Sequence, residues 1–384
     1  GAQTAPLFVP PWIRVEDTKK ALQAVGAYYR RRLTLPLIGI TGSVGKTTTR
    51  ELVAAALSAG FRVYKTPGNK NSQVGVPITL SEITSEDEIG VLELGMSMPG
   101  EMTVIARIAQ INMAVITNVG VTHIEQLGSQ ENIYQEKLKI QDGLRDGGIL
   151  LLNGDDPMLK ETRAKEGCRT VYYGTGKHCE YRAENIRLKD GFPVFEAVHG
   201  ERRVSVQLKV MGFHQVGNAM AALAAADLYG VDMAAAAERL QEFTGFQGRQ
   251  QVYTRGQVTI IDDTYNASPA SMKASLQVLA SMEKAVRRIA VLADMKELGP
   301  DEERFHREIG EWLSGQPVDV VFTLGSLSRS IEAGKECRHF DQEDLSGLTR
   351  AVEELLAPGD CVLLKGSRSM ELDQVAKRLV GPTE

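Results

Sequence analysis

The stretch Leu37-Ile38-Gly39-Ile40-Thr41-Gly42-Ser43-Val44-Gly45-Lys46-Thr47-Thr48-Thr49 constrains what this chain can fold into more than any other. An apolar run ends at glycines and a Lys-Thr pair, and a helix-type sequence with Glu51, Leu52 and Val53 follows. The order is strand, phosphate loop, helix. Glycines let backbone N–H groups close around phosphate oxygens, and the helix N-terminus adds the positive end of its dipole. Lys46 can reach terminal phosphates, and the Thr47 hydroxyl can ligate Mg²⁺. The usual G-x-x-x-x-G-K-[ST] spacing would put glycine at Ile40; here the early glycine is Gly39. A Gly-rich turn with an exposed lysine is the bland alternative. The strand before and the helix after argue against it.

Alternation of strand and helix continues on both sides of the chain's midpoint. Strand-like runs fall at Leu37–Thr41, Gly90–Leu94, Met113–Thr117 and Ile149–Asn153, with a helix at Gly100–Ala109 in phase at Met102, Ile105 and Ile108. This pattern argues for an α/β fold, a mainly parallel sheet covered by helices. Short alternating strands between Thr170 and Val210 read as a small β-rich insert, and two Ala-rich helices, His214–Tyr229 and Met233–Phe243, close the region. Phe243-Thr244-Gly245-Phe246-Gln247-Gly248 reads as a hinge. Beyond it, strands at Val258–Asp262, Arg288–Leu292, Val318–Thr323 and Cys361–Leu364 alternate with helices, as in a Rossmann-like C-terminal domain. The expected division is 1–35, a lead-in segment; 36–247, a central nucleotide-binding domain; and 248–384, the second α/β domain. The lead-in carries a helix from Asp17 to Arg32, capped by Asp17 or Thr18, with Leu22, Val25 and Tyr29 as its apolar stripe.

Composition excludes several function classes. A length of 384 residues suits two or three domains of about 150 residues each. A net charge of −5 gives no basic excess for nucleic acid. No apolar run approaches the ~20 residues of a membrane span, and the Pro-rich start has no signal-peptide core. Cys168, Cys179, Cys337 and Cys361 have no CxxC spacing, which fits reduced thiols in a cytoplasmic protein.

Chemistry-bearing residues gather at expected strand ends, where open α/β sheets bind ligands. Glu93 ends an apolar strand; beside a phosphate loop its carboxylate is suited to Mg²⁺, although an ion pair is the simpler reading for such a residue. His123 follows another strand and is open to a structural, metal or substrate role. Lys137 and Lys139 read as a solvated helix face. His214 and Asn218 open an Ala-rich helix; spacing alone favours a capping role over hydrogen bonds to a base. Arg249 follows the hinge. Asp262-Asp263-Thr264-Tyr265-Asn266-Ala267-Ser268-Pro269, Asp294-Met295-Lys296-Glu297-Leu298-Gly299 and Lys365-Gly366-Ser367-Arg368 follow later strands. Together they read as a second binding surface facing the first.

These motifs, in this order, resemble the ATP-dependent Mur ligases of peptidoglycan synthesis, from about Val15 to the C-terminus. Residues 39–48 resemble the family's ATP loop, and Gly68-Asn69-Lys70-Asn71-Ser72-Gln73-Val74-Gly75-Val76-Pro77 resembles its substrate-facing loop. The Asp262–Pro269 and Leu292–Gly299 motifs are similar to those of the branch that joins D-alanyl-D-alanine to UDP-N-acetylmuramoyl-tripeptide. The resemblance implies an acyl-phosphate mechanism with ATP and two Mg²⁺ ions, in a cytoplasmic, monomeric enzyme. Gly42, Ser43, Val44, Gly45, Lys46, Thr47 and Thr48 would hold the nucleotide, with His214, Asn218, Arg249 and Asp263. Thr47 and Glu93 would hold one Mg²⁺ and His123 the other, beside a carbamylated Lys137. Asn71, Asn266 and Ser268 would face substrates. Gln215 and Ser268 stand where the family usually has asparagine, and Ala293 where it commonly has glycine. The family's N-terminal domain, which binds the UDP-sugar end, is almost wholly missing from this sequence, so the expectation is a chain that binds Mg-ATP but ligates poorly. A non-ligating nucleotide-binding module and a folylpolyglutamate synthetase-like ligase are the alternatives. A P-loop GTPase or transport ATPase leaves the Asp263–Pro269 and Asp294–Gly299 loops unexplained.

Overall fold

The computed structural model describes residues 13–246 and 248–381; the Pro-rich start lies outside them. Two sheets organise the chain. The first contains β1 (Leu37–Thr41), β2 (Val63–Lys65), β3 (Ile89–Glu93), β4 (Met113–Ile116), β5 (Ile149–Asn153), β6 (Arg169–Gly174), β7 (Tyr181–Lys189), β8 (Phe192–His199) and β9 (Arg202–Gln207), in the order β2-β3-β1-β4-β5-β6-β7-β8-β9. Every pair from β2 to β7 is parallel, and β7-β8-β9 is an antiparallel meander. The β-rich stretch is thus hydrogen-bonded edge-on to the parallel sheet. Strands β1, β3 and β4 are buried throughout, as parallel strands covered on both faces must be.

The second sheet contains β10 (Gln251–Arg255), β11 (Val258–Asp262), β12 (Arg288–Ala293), β13 (Val320–Leu324), β14 (Glu336–Phe340) and β15 (Cys361–Lys365), in the order β10-β11-β15-β12-β13-β14. All its pairs are parallel except β10 with β11. Three strands escape the sequence pattern: β2 has three residues, and β10 and β14 are exposed edges without an apolar run.

The lead-in helix runs from Thr18 to Arg32 with Asp17 as its N-cap, but its expected stripe is not what it buries. Val25 and Tyr29 are exposed, whereas Gly26 and Arg30 face inward. Gly26 lies so close to the helix Gly75–Glu82 that an added Cβ would sit 2.6 Å from Pro77 Cα. Arg30 donates through Nε to Ala109 O at 2.7 Å and through Nη2 to Gln110 O at 2.8 Å, at the end of the helix Glu101–Ala109. A small residue and a buried cation anchor this helix, and a hydropathy pattern registers neither. The four cysteines are free, and no helix among the described residues is long and apolar enough to cross a membrane.

Candidate functional site

The carboxyl ends of β1, β3 and β4 face those of β11 and β15 across a cleft of about 410 Å³. Its first wall is the phosphate loop. Gly45, in the left-handed region, is the N-cap of the helix Lys46–Leu57, so that helix directs its free first-turn N–H groups into the cleft. The loop after β4 holds it in shape. Asn118 accepts from Val44 N at 2.9 Å and returns a bond from Nδ2 to Val44 O at 2.8 Å. Thr117 Oγ1 donates to Val44 O at 2.7 Å, and Gly120 N donates to Ser43 Oγ at 2.8 Å. Gly42 is required for this closeness, since a Cβ there would lie 1.9 Å from Thr117 Oγ1.

Positive charge collects here without matching acid. Lys46 Nζ donates to Gly42 O at 2.7 Å, and burial lowers its pKa, with Arg249 adding to and Glu93 opposing that shift. Glu93 is only 2% exposed and is the ion-pair partner of Arg50, at 3.2 Å, while accepting from Asn71 Nδ2 at 2.7 Å. The ion-pair reading and the position beside the phosphate loop therefore both hold. Lys137 is 2% exposed, which overturns the solvated-face reading, whereas its neighbour Lys139 does reach solvent and pairs with Glu136. Burial, then the charge of Lys46, pushes the Lys137 pKa well down, and Glu136 only partly opposes it.

The second wall comes from Arg249 and the loops that follow β11 and β15. The Arg249 guanidinium stacks 4.1 Å from the Tyr265 ring centroid, and its Nε is buried without a hydrogen-bond partner. Asp263 pairs with buried Lys365 at 2.7 Å and accepts from Ser275 Oγ. Ser268 caps the helix Pro269–Ala280 through a capping box with Ser271. His214 does not cap its helix, contrary to the reading from spacing: the helix His214–Leu228 has Phe213 as N-cap and no side-chain cap. Instead His214 Nε2 lies 3.1 Å from Gln215 Nε2, Gln215 Oε1 accepts from Asn218 Nδ2 at 2.8 Å, and Asn218 Oδ1 accepts from Thr49 Oγ1 at 3.1 Å. Burial pushes the His214 pKa down to about 4, so the ring is neutral at pH 7.

One contact joins the walls directly. His123 and Glu297 both occupy the left-handed region, with φ of 65° and 64°, and His123 Nδ1 lies 2.7 Å from Glu297 Oε2. Backbone strain on both partners of a contact marks a place held by its surroundings. Burial lowers the His123 pKa; Glu297 opposes this, and Lys46 and Lys137 reinforce it.

Most residues singled out in the sequence meet on this cleft. Residues 43–48, Asn71, Glu93, His123, His214 and Asn218 line it from the first part of the chain, and Arg249, Asp263, Asn266 and Ser268 line it from the loops beyond Gly248. Gly42 and Lys137 are not on its surface. Sequence reasoning missed Arg50 and Asn118 as working parts, and it placed Lys365 and Glu297 in polar strand-end loops without finding their partners Asp263 and His123. Arg50 lies one turn beyond Lys46, on the same helix face, which is its only sequence signal.

Oxygen donors from Thr47 and Glu93 on one cleft suit Mg²⁺, which keeps most of its shell for water and phosphate. No cluster of three or more His, Cys, Asp or Glu poised for a metal exists among the described residues. An unmodified Lys137 carries no oxygen donor and does not fit as a Mg²⁺ ligand.

Residues 40–226 match the Mur ligase middle domain, and residues 248–368 match the Mur ligase glutamate ligase domain. The chain belongs to the Mur ligase family. Among curated relatives, the UDP-N-acetylmuramoyl-tripeptide–D-alanyl-D-alanine ligase of Bacillus subtilis is 39% identical, covering 96% of this chain and 81% of its own length. Among solved structures, MurF from Acinetobacter baumannii superposes with a TM-score of 0.89 at 30% identity, covering 95% of this chain and 81% of that one. The MurF ligase from Thermotoga maritima in complex with ADP gives a TM-score of 0.86 at 28% identity, covering 97% and 86%. In this Mur ligase the matched middle domain spans the phosphate loop, and the matched C-terminal domain spans the strand-end loops of the second wall.

Proposed function

We propose that this Mur ligase joins D-alanyl-D-alanine to UDP-N-acetylmuramoyl-tripeptide at the expense of ATP, a step in building peptidoglycan precursors. The observation that carries this reading is the convergence on one cleft of a phosphate loop and the polar loops that end β11 and β15. A carboxylate is a poor electrophile. One of its oxygens attacks the γ-phosphorus of ATP and ADP departs, leaving an acyl phosphate. The dipeptide amine then attacks the carbonyl carbon, a tetrahedral intermediate forms, the amine loses its proton, and the C–O bond to phosphate breaks, so that inorganic phosphate leaves with the carboxylate oxygen that attacked phosphorus.

The residues divide this work. Lys46, the loop amides from Gly45 to Thr48 and Arg249 hold phosphate oxygens and offset the charge that grows on the transferring group, while the amides of Ser43 and Val44 stay bonded to Asn118 and keep the loop in shape. His214 and Asn218 face the base, with Gln215 supplying the hydrogen bonds of the family's asparagine. Asp263, neutralised by Lys365, faces the nucleotide. Asn71 faces the peptide donor, and Asn266 and Ser268 face the dipeptide. Thr47 and Glu93 would hold one Mg²⁺ ion, and His123, with a carbamylated Lys137, a second. When bound, the ions polarise phosphoryl oxygens and fix their orientation. A buried lysine with a depressed pKa offers the neutral amine that adds CO₂ and loses a proton, so the ammonium becomes a carboxylate-like ligand. ATP and a nucleotide-linked sugar as substrates fit a cytoplasmic location.

The test supplies ATP, UDP-N-acetylmuramoyl-tripeptide and D-alanyl-D-alanine, and follows ADP release together with the product's mass. One ADP per amide bond, dependent on both acceptor and donor, is expected. Nucleotide binding with no amide product under saturating substrates overturns the reading in favour of a non-ligating nucleotide-binding module.

A further inference from the structure

Beside the nucleotide cleft lies a larger cavity of about 900 Å³, built mainly from the second sheet's loops. The two share Asn69, Thr122 and the run Tyr265, Asn266, Ala267 and Ser268 as a common wall. Charged groups line the larger cavity, and nearly all of them are paired off. Lys296 Nζ donates to Asp294 at 2.8 Å, and Lys377 Nζ donates to Asp373 at 2.8 Å. Glu297 faces His123 at 2.7 Å, and Asp262 accepts from Thr264 N and Oγ1 at 3.1 and 2.7 Å.

Arg368 is the exception. Its nearest carboxylate is Asp373 at 3.9 Å, beyond hydrogen-bond reach and already held by Lys377. Among the described residues lining this cavity, it is the one cation without a hydrogen-bonded acid. Its side chain is 66% exposed, yet its backbone is fixed. Ser367 N donates to Asp294 O at 3.0 Å, Ser367 Oγ accepts from Lys296 N at 2.9 Å, and Met370 N donates to Ser367 O at 2.9 Å. A free guanidinium fork therefore stands on a rigid base, one cavity away from the phosphates.

Building on the ligase reading, we infer that Arg368 binds the C-terminal carboxylate of the acceptor dipeptide. The acceptor carries opposite charges at its two ends, about 7 Å apart when extended. Its amine must reach the acyl phosphate, which places it at the shared wall of Asn266 to Ser268. Its carboxylate then extends into the larger cavity, where Arg368 offers two parallel N–H donors to two oxygens. Lys296 and Lys377 would have to abandon their own acids to do the same.

The test compares D-alanyl-D-alanine with its C-terminal carboxamide as acceptors for the unaltered chain, Arg368→Ala and Arg368→Lys. Loss of a charged hydrogen-bonded contact predicts a KM for the dipeptide raised about 10- to 100-fold in Arg368→Ala. The carboxamide is expected to be an equally poor acceptor for both proteins, Arg368→Lys to recover part of the loss, and the KM for ATP to stay unchanged. Equal effects of Arg368→Ala on both acceptors, or a raised KM for ATP or the UDP-linked donor instead, would overturn the assignment. Failure of the ligase reading looks different: the unaltered chain then makes no amide with either acceptor.

Discussion

The two walls of the cleft are built from different materials. The first is backbone, a phosphate loop laced to the loop after β4 by Asn118, Thr117 and Ser43. It presents N–H donors whose positions do not depend on rotamers. The second is side chain: Arg249 laid on Tyr265, Asp263 locked to Lys365, and Ser268 committed to a helix cap. A backbone wall suits what every turnover shares, the triphosphate. A side-chain wall can change its substrate by changing residues without disturbing the fold. Among the described residues, Lys46 on the first wall and Arg249 on the second have no acid of their own, whereas Asp263 on the second has its counter-charge in Lys365.

The largest effect is expected at the first wall. Lys46→Ala should lower the rate of ADP release by about 1,000-fold, since a charge-assisted contact to the transferring group is lost. Its melting temperature should stay within a few degrees, because Lys46 bonds only carbonyls of its own loop. Near-normal turnover would show that Lys46 does not contact the transferring phosphoryl group.

Asp263→Ala probes the second wall, and there the cost should fall on stability first. It leaves Lys365 charged and buried, which costs about 3–5 kcal/mol. Urea unfolding should show the drop, and Asp263→Ala with Lys365→Met should recover much of it. A single variant as stable as the parent would show that the pair is not buried as described.

Lys137→Ala should cost about 100-fold in ligation, comparable to loss of a metal-supporting group. Acetate or formate should restore part of it, and depleting CO₂ should slow the unaltered protein. Unchanged activity without CO₂ removes carbamylation from the account.

A smaller effect follows from His214. Its folded pKa of about 4 lies below the ordinary 6.5. As pH falls below 6.5 the unfolded chain takes up a proton that the native ring refuses. The stabilisation is thus complete above pH 6.5 and lost towards pH 4, amounting to about 2 kcal/mol between pH 7 and 5. His214→Gln should flatten that part of the urea-midpoint profile, and a parallel profile would contradict the burial argument. Smallest of all is Glu297→Gln. The contact joining the walls is half exposed on the glutamate side, so it should contribute no more than about 1 kcal/mol, under about 4 °C in melting temperature. A larger shift would mean that the walls depend on each other more than their separate construction implies.

The same contrast explains what the sequence made legible. The first wall is contiguous: strand, loop and helix stand side by side between Leu37 and Leu57, and their periodicity is read directly. Strand ends in the second sheet were readable for the same reason, because β11, β12 and β15 are buried apolar runs. What could not be read is pairing at a distance. Lys365 reaches Asp263 across 102 positions, and His123 meets Glu297 only because two loops from different sheets converge. Lys137 looked solvated since lysine on a helix usually is; only the packing around it shows burial. The lead-in helix was misread for a related reason. Its inward face rests on Gly26 and Arg30, and hydropathy assigns both to solvent.

The central claim is that the donor carboxylate is activated by phosphoryl transfer inside this cleft. Donor peptide carrying ¹⁸O in both oxygens of its reacting carboxylate tests it most directly, by mass analysis of the products of ligation. An acyl phosphate predicts one ¹⁸O in the released inorganic phosphate and one retained in the new amide. Phosphate free of label, or label recovered in AMP, would contradict the account.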